Sequence, residues 1–237
     1  MEIHDTLNPR LFSGEQLKPE VRERILKIVD AFVDDMEIKP DVLDVQLVGS
    51  NVSYNYTPNS DLDVHLVVNF EMMNADRTLV QALFNAEKSW FNKNHDITIK
   101  GVNVELYVED VGAGTASNGV YSALNDEWIK FPDSLEGIQE YDLSREVAIW
   151  QKEIEGILKD GTEEDVKNEI NRLYMIRKNS ILIDGEYGKG NQLFKEIRNL
   201  GLLDALKDKV HELLSKELSL ESMTENYTIG QMFHLDF

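Results

Sequence analysis

Apolar residues recur three and four positions apart from Val21 through Ile25, Ile28 and Val29 to Phe32, the spacing of one helix face. Pro19 suits the first turn of that helix, and Pro40 bounds it, because the residue before a proline is pushed out of the helical region. Upstream, Met1 to Gln16 reads as an irregular lead-in with turn signals at Asn8-Pro9 and Ser13-Gly14. After Pro40 the period shortens. Leu43 to Val48 and the stretch from Leu62 to Val68 read as strands, and a helix over Asp76 to Asn92 is expected to align Leu79, Leu83, Ala86 and Trp90. Ile97 to Ile99 and Val102 to Val108 alternate around Lys100-Gly101, which predicts a tight and therefore antiparallel hairpin. Val120 to Leu124 and Trp128 to Phe131 predict one more, closed by Pro132.

From Tyr141 onward the pattern is helical throughout. Arg145 to Leu158 is one helix, stopping near Gly161. Glu163 to Ile183 is a second, with Ile170, Leu173, Ile176, Ile181 and Leu182 as its apolar positions. Thr162 followed by Glu163, Glu164 and Asp165 suits its N-terminus, since acids favour the positive end of a helix. Asn191 to Leu200 and Asp204 to Leu218 are two more, with Gly201 between them as a C-cap. Tyr227, Phe233 and Phe237 suggest that parts of the tail dock. The shift between Pro132 and Tyr141 divides the chain into a mixed core, residues 1–135, and a C-terminal helical domain, 136–237. The expected class is α/β (α+β), a mixed sheet flanked by helices and followed by a helical region.

Charge and composition narrow the partners. The 237 residues carry a formal net charge of −20, which disfavours tight binding to long nucleic acid, since that relies on a basic footprint. The chain has no cysteine, so disulfides and thiolate metal sites are excluded, in keeping with a reducing compartment. Met1 to Asp5 shows no basic segment followed by an apolar run, so no secretory signal is expected. No apolar stretch approaches membrane-spanning length. The expectation is a cytoplasmic protein without a membrane partner.

The candidate chemistry lies between the first two long strands. In the second, Asp61 and Asp63 stand two apart and share a face, while Leu62, Val64 and Leu66 fill the other. Adjacent carboxylates repel unless a positive charge intervenes, and Mg²⁺ typically takes one or two carboxylates plus substrate phosphates. Ahead of them, Gly49 lets the backbone approach a ligand closely, and Ser50 is expected to cap a short helix whose N-terminal N–H groups favour an anion.

Gly49-Ser50, a spacer and Asp61-Leu62-Asp63 resemble the signature of the nucleotidyltransferases similar to DNA polymerase β. That family adds a third carboxylate on a later strand, and Glu105, on the polar face of Val102 to Val108 with Asn103 and Tyr107, matches it. The resemblance spans roughly Leu43 to Glu109. It implies a nucleotidyltransferase-like sheet, Asp61, Asp63 and Glu105 as catalytic and metal-holding residues for Mg²⁺ or Mn²⁺, and Gly49, Ser50 and Ser53 at the nucleotide. It further implies transfer of a nucleoside monophosphate from a nucleoside triphosphate, with release of pyrophosphate. The acceptor stays open among a small molecule, a protein side chain and an RNA end, the acidic surface favouring a small or cationic one.

Other readings stand beside this one. The three acids fit equally the solvated faces of two edge strands, because antiparallel sheets often alternate apolar in and polar out. The same fold also serves non-catalytic nucleotide-binding or antitoxin-like proteins, and a nucleotide hydrolase would use the same metal site. In the helical half, the Gly-rich turn from Gly185 to Gly190 runs into a helix carrying Lys195 and Arg198, with Arg177 and Lys178 on the helix before. These four cations read either as a triphosphate clamp, with Lys195 and Arg198 binding nucleotide, or as a solvated face paired with acids. His65 shares the face of Asp63 and is read as structural. Tyr54 and Tyr56 suit stacking on a base or packing.

Overall fold

Pro19 opens the first long helix and Asp35 ends it, and the five residues it buries are Val21, Ile25, Ile28, Val29 and Phe32. The computed structural model describes residues 3–74, 76–114, 117–134, 138–139 and 141–219. The chain divides into two compact units, Glu2–Gly137 and Ile138–Phe237. The tail that carries Tyr227, Phe233 and Phe237 lies outside the described residues.

In the first unit, β1 (Phe12–Ser13) and β2 (Gln16–Leu17) form a small hairpin around Gly14, where an irregular lead-in was expected. Its inward residues explain the departure from the turn signals alone: Phe12 and Leu17 are buried, and they anchor the segment to the core. Helix α1 (Pro19–Asp35) follows. Next come β3 (Val42–Val48), a single 3₁₀ turn (Ser50–Val52), β4 (Leu62–Val68), α2 (Phe70–Met73) and α3 (Arg77–Asn94). The unit closes with β5 (Thr98–Ile99), β6 (Val102–Asp110), β7 (Val120–Ser122) and β8 (Glu127–Lys130).

Six of these strands make one mixed sheet in the order β5-β6-β4-β3-β7-β8. β4 pairs antiparallel with β3 and parallel with β6, so it is an interior strand. The link from β4 to β6 runs through α2 and α3, as a parallel pair requires a long crossover. One sheet face is apolar: Val45, Leu47, Leu62, Val64, Leu66, Leu106 and Val108 are buried in a single core with α1 and α3. Burial of that face, at roughly 25 cal/mol per Å² of apolar surface, is what holds the sheet to its helices.

Helix α3 settles on a different stripe from the expected one. Val80, Phe84 and Phe91 are buried, whereas Leu79 and Trp90 are exposed. The sequence offers two neighbouring apolar stripes, and the larger aromatic pair decides between them. The Phe84 ring lies tilted against Phe70 at 5.5 Å between centroids and the Phe91 ring against Phe32 at 4.9 Å. The Lys100-Gly101 turn is as expected, both residues having positive φ, at 52° and 75°.

The second unit is helical: α4 (Ser144–Asp160), α5 (Glu163–Asp184), α6 (Lys189–Asn199) and α7 (Leu202–Leu218). Thr162 caps α5 reciprocally with Asp165, a capping box that satisfies two otherwise orphan N–H groups. Gly201 adopts the left-handed conformation, at φ 73°, and its N–H closes α6 on Arg198. Trp150, Ile154, Val166, Leu173, Phe194, Ile197 and Leu206 form its core. On α5 the expected Leu182 is exposed, and Glu169 and Ser180 are buried instead. No helix among the described residues is long and apolar enough to cross a membrane.

Candidate active site

The polar face of the sheet is built by register. Val48 on β3, Asp63 on β4 and Glu105 on β6 form one transverse row, and Gln46, His65 and Tyr107 form the next. Asp63 and Glu105 are therefore direct neighbours on adjacent parallel strands, with side chains on the same face. Asp61 lies just ahead of β4, and all three acids are half-buried. β4 is interior and β6 lies between it and β5, so neither is a terminal strand of the sheet.

Tyr107 is tied to one of the acids. Its hydroxyl donates to Glu105 Oε2 at 2.5 Å. Burial pushes the phenol pKa strongly up, helped by that hydrogen bond and by the negative charges of Glu105, Asp63 and Asp61. His65 is bound next to them, its Nδ1 2.8 Å from Glu109 Oε2, so this imidazole has a partner on the neighbouring strand.

The turn before β4 is fitted to Asp63. Gly49 has φ 83° and ψ −165°, a conformation open to glycine, and a Cβ there would overlap Asp63 Oδ2. Its N–H donates to Ser117 Oγ at 3.0 Å. Ser50 does not cap a helix as expected: Gly49 occupies the cap position of the three-residue turn, and the Ser50 hydroxyl donates to Ser60 Oγ at 2.9 Å. So short a turn has almost no aligned dipole to offer an anion. Ser53 is buried, and its hydroxyl accepts from Asn118 Nδ2 at 2.9 Å.

A chain of amides sets where β4 begins. Asn8 Nδ2 donates to Asn51 Oδ1 at 2.6 Å. Asn51 Nδ2 in turn donates to the carbonyls of Ser60 and Asp61 at 2.9 and 2.8 Å. These buried bonds fix the backbone that carries Asp61. On the other side Gly119 lies so close to the Val52 carbonyl that no side chain fits between them.

Of the residues expected at the site, Gly49, Ser50, Asp61, Asp63 and Glu105 gather around the start of β4. Lys195 and Arg198 are on α6 of the helical unit, where Lys195 Nζ donates to Glu186 Oε1 at 3.2 Å. The guanidinium of Arg177 lies 5.1 Å from the centroid of the Phe194 ring. Sequence reasoning missed Lys88, whose Nζ lies 3.8 Å from the centroid of the Tyr107 ring, and it missed Tyr107, Ser117 and Asn118. Tyr107 was legible as a neighbour of Glu105 on one strand face; the other three come from distant segments with no local motif.

Among the described residues no group of three or more His, Cys, Asp or Glu side chains is arranged to hold a metal ion. Two adjoining carboxylates nonetheless suit Mg²⁺, which completes its shell with water and phosphate oxygens. Asp63 Oδ2 packs against the bare Cα of Gly49, in the place a Cβ would take. The chain matches no family model, no curated protein and no solved structure.

Proposed function

We propose that the chain is a metal-dependent nucleotidyltransferase that moves a nucleoside monophosphate from a nucleoside triphosphate to an acceptor hydroxyl and releases pyrophosphate. The observation that carries this reading is the adjacency of Asp63 and Glu105 on parallel strands, with the Gly49 turn against Asp63. Asp61, Asp63 and Glu105 would hold Mg²⁺ or Mn²⁺, which when bound stabilises the attacking and leaving oxygens. The chain's own residues supply position and charge: Gly49 lets the Asp63 carboxylate pack against the turn, the Asn51 amide fixes the backbone at Asp61, and Tyr107 orients Glu105. The same Tyr107 hydrogen bond favours a second reading, a non-catalytic nucleotide-binding protein, because it already occupies one Glu105 oxygen.

Asp61→Asn combined with Asp63→Asn is the test. The double variant is expected to lose metal-dependent nucleotide binding in titration calorimetry while melting at or above the wild-type temperature, since like-charge repulsion is removed. Incubation with labelled nucleoside triphosphates, Mn²⁺ and a panel of acceptors then separates the readings. Labelled acceptor with pyrophosphate supports transfer, free nucleotide supports hydrolysis, and binding without turnover supports the second reading. Unchanged metal-dependent affinity in the double variant rejects the site.

A further inference from the structure

The helical unit has a pocket of about 500 Å³ walled by α4 and α5, beside the Gly161 turn that joins them. Helical spacing puts acids on both walls: Glu153 and Asp160 share one face of α4, and Asp165 and Glu169 one face of α5. Most of their oxygens are engaged. Asp165 Oδ2 accepts from Thr162 in the capping box. Arg172 lies over the Trp150 ring at 3.9 Å and donates to Glu153 Oε1 at 2.6 Å and to Glu169 Oε2 at 3.1 Å. Glu169 Oε1 is the exception. The residue is 4% exposed, and this oxygen has no hydrogen-bond partner among the described residues. A buried carboxylate oxygen without a donor is costly.

Gly156, on the α4 wall, is a second departure from what stability alone would select. Glycine inside a helix is destabilising relative to alanine. Its φ is not positive, and a Cβ there would meet nothing within 4 Å. Neither backbone conformation nor packing therefore requires glycine at 156, and its bare Cα leaves the pocket wide. Ile157 adds an apolar stretch to the same wall. We propose that this pocket binds a linear aliphatic polyamine, with one ammonium donating to Glu169 Oε1, the others meeting Asp160 and Glu153, and the methylenes lying along Gly156 and Ile157. The terminal torsion of a glutamate is soft, so the carboxylate turns to meet its donor. The spread of the acids sets the class of ligand. Among the described residues no three are arranged to hold a metal ion. Ammonium groups spaced along one chain match acids spaced along two helices, whereas a metal ion needs its ligands at one point. The site lies within the helical unit and stands independently of the nucleotidyltransferase reading.

The test is calorimetric titration of the full chain with spermidine, at neutral pH and fixed ionic strength, with butylamine as the single-ammonium control. Two variants separate charge from space. Glu169→Gln keeps the shape and removes the carboxylate. Gly156→Leu fills the pocket and leaves every acid in place, and it is expected to melt at or above the wild-type temperature, since leucine is the better helix former. Wild type is expected to show one saturable site for spermidine and at least tenfold weaker binding of butylamine. Glu169→Gln is expected to bind spermidine at least tenfold more weakly, and Gly156→Leu to lose the site. Absence of a saturable site in wild type overturns the proposal. Unchanged spermidine binding in either variant overturns it too, because spermidine would then be acting as a diffuse counter-ion to the net charge of −20. Equal affinity for butylamine and spermidine overturns the assignment to a polyamine.

Discussion

Gly49 and Asp63 are fitted to each other at the level of single atoms. With φ at 83° and no room for a Cβ beside the Asp63 carboxylate, residue 49 meets two separate constraints, one on backbone conformation and one on space. Either alone favours glycine; together they leave no side chain that fits without displacing Asp63. Gly49→Ala is therefore expected to cost about 1–3 kcal/mol of stability, the range for a residue held in a sparsely populated backbone region. It is also expected to weaken metal-dependent nucleotide binding by displacing the carboxylate. Urea denaturation and calorimetry report the two effects separately. A stable Gly49→Ala protein with unchanged binding would dissociate the turn from the site. Glu169 poses the opposite problem, a carboxylate buried on α5 beside Arg172. Burial pushes its pKa above the ordinary 4.5, with the nearby Arg172 charge working the other way. The folded state thus holds the proton more tightly than the unfolded state. Stability is greatest below the unfolded pKa of 4.5 and is lost as pH rises through the higher folded value. Urea denaturation across that window is expected to show Glu169→Gln gaining on wild type as pH rises. A constant gap between the two proteins would remove Glu169 from the pH dependence.

At the scale of elements, the sheet's open edge is handled by a helix side chain. A bare edge presents unpaired N–H and C=O groups that invite pairing with another chain. Asn92 answers at Leu106 with both halves of its amide. Asn92→Ala removes both bonds, and leaving a buried backbone group unmet costs about 1–3 kcal/mol. The expected result is a lower urea midpoint with an unchanged slope, together with a looser Lys88, whose placement depends on the same helix. An Asn92→Ala protein as stable as wild type would show that solvent satisfies Leu106 as well. The 3₁₀ turn is the other decisive element. It is too short to act as a helix N-terminus, so the candidate site draws on the Gly49 Cα and the Ser50, Ser60 and Ser117 hydroxyls around it rather than on a helix dipole.

At the scale of the whole molecule, a net charge of −20 acts on stability before it acts on any partner. Self-repulsion at high net charge weakens the compact state. The Debye length falls from about 30 Å at 0.01 M salt to about 8 Å at 0.15 M, so most of that repulsion is screened across this range. The melting temperature is expected to rise with NaCl over the same interval. A flat salt profile would mean that local pairs such as Lys195 with Glu186 already balance the field.

The sequence by itself determined the elements and their alternation. The buried face of α1, the two hairpins and the caps at Thr162 and Gly201 all follow from spacing within one segment. So does the polar side of β6 with Glu105 and Tyr107. These are local properties, set by backbone period and turn chemistry, and they were legible for that reason. The tertiary structure decided what lies next to what. It chose Val80, Phe84 and Phe91 over Leu79 and Trp90 on α3, because the aromatics found Phe70 and Phe32 across the core. It set Glu105 beside Asp63 through a parallel register that no local pattern encodes. It also brought Lys88, Ser117 and Asn118 to their partners across the chain. Such pairings depend on which residues meet after the chain has crossed over, and a periodic pattern along one segment is silent about its neighbours in space.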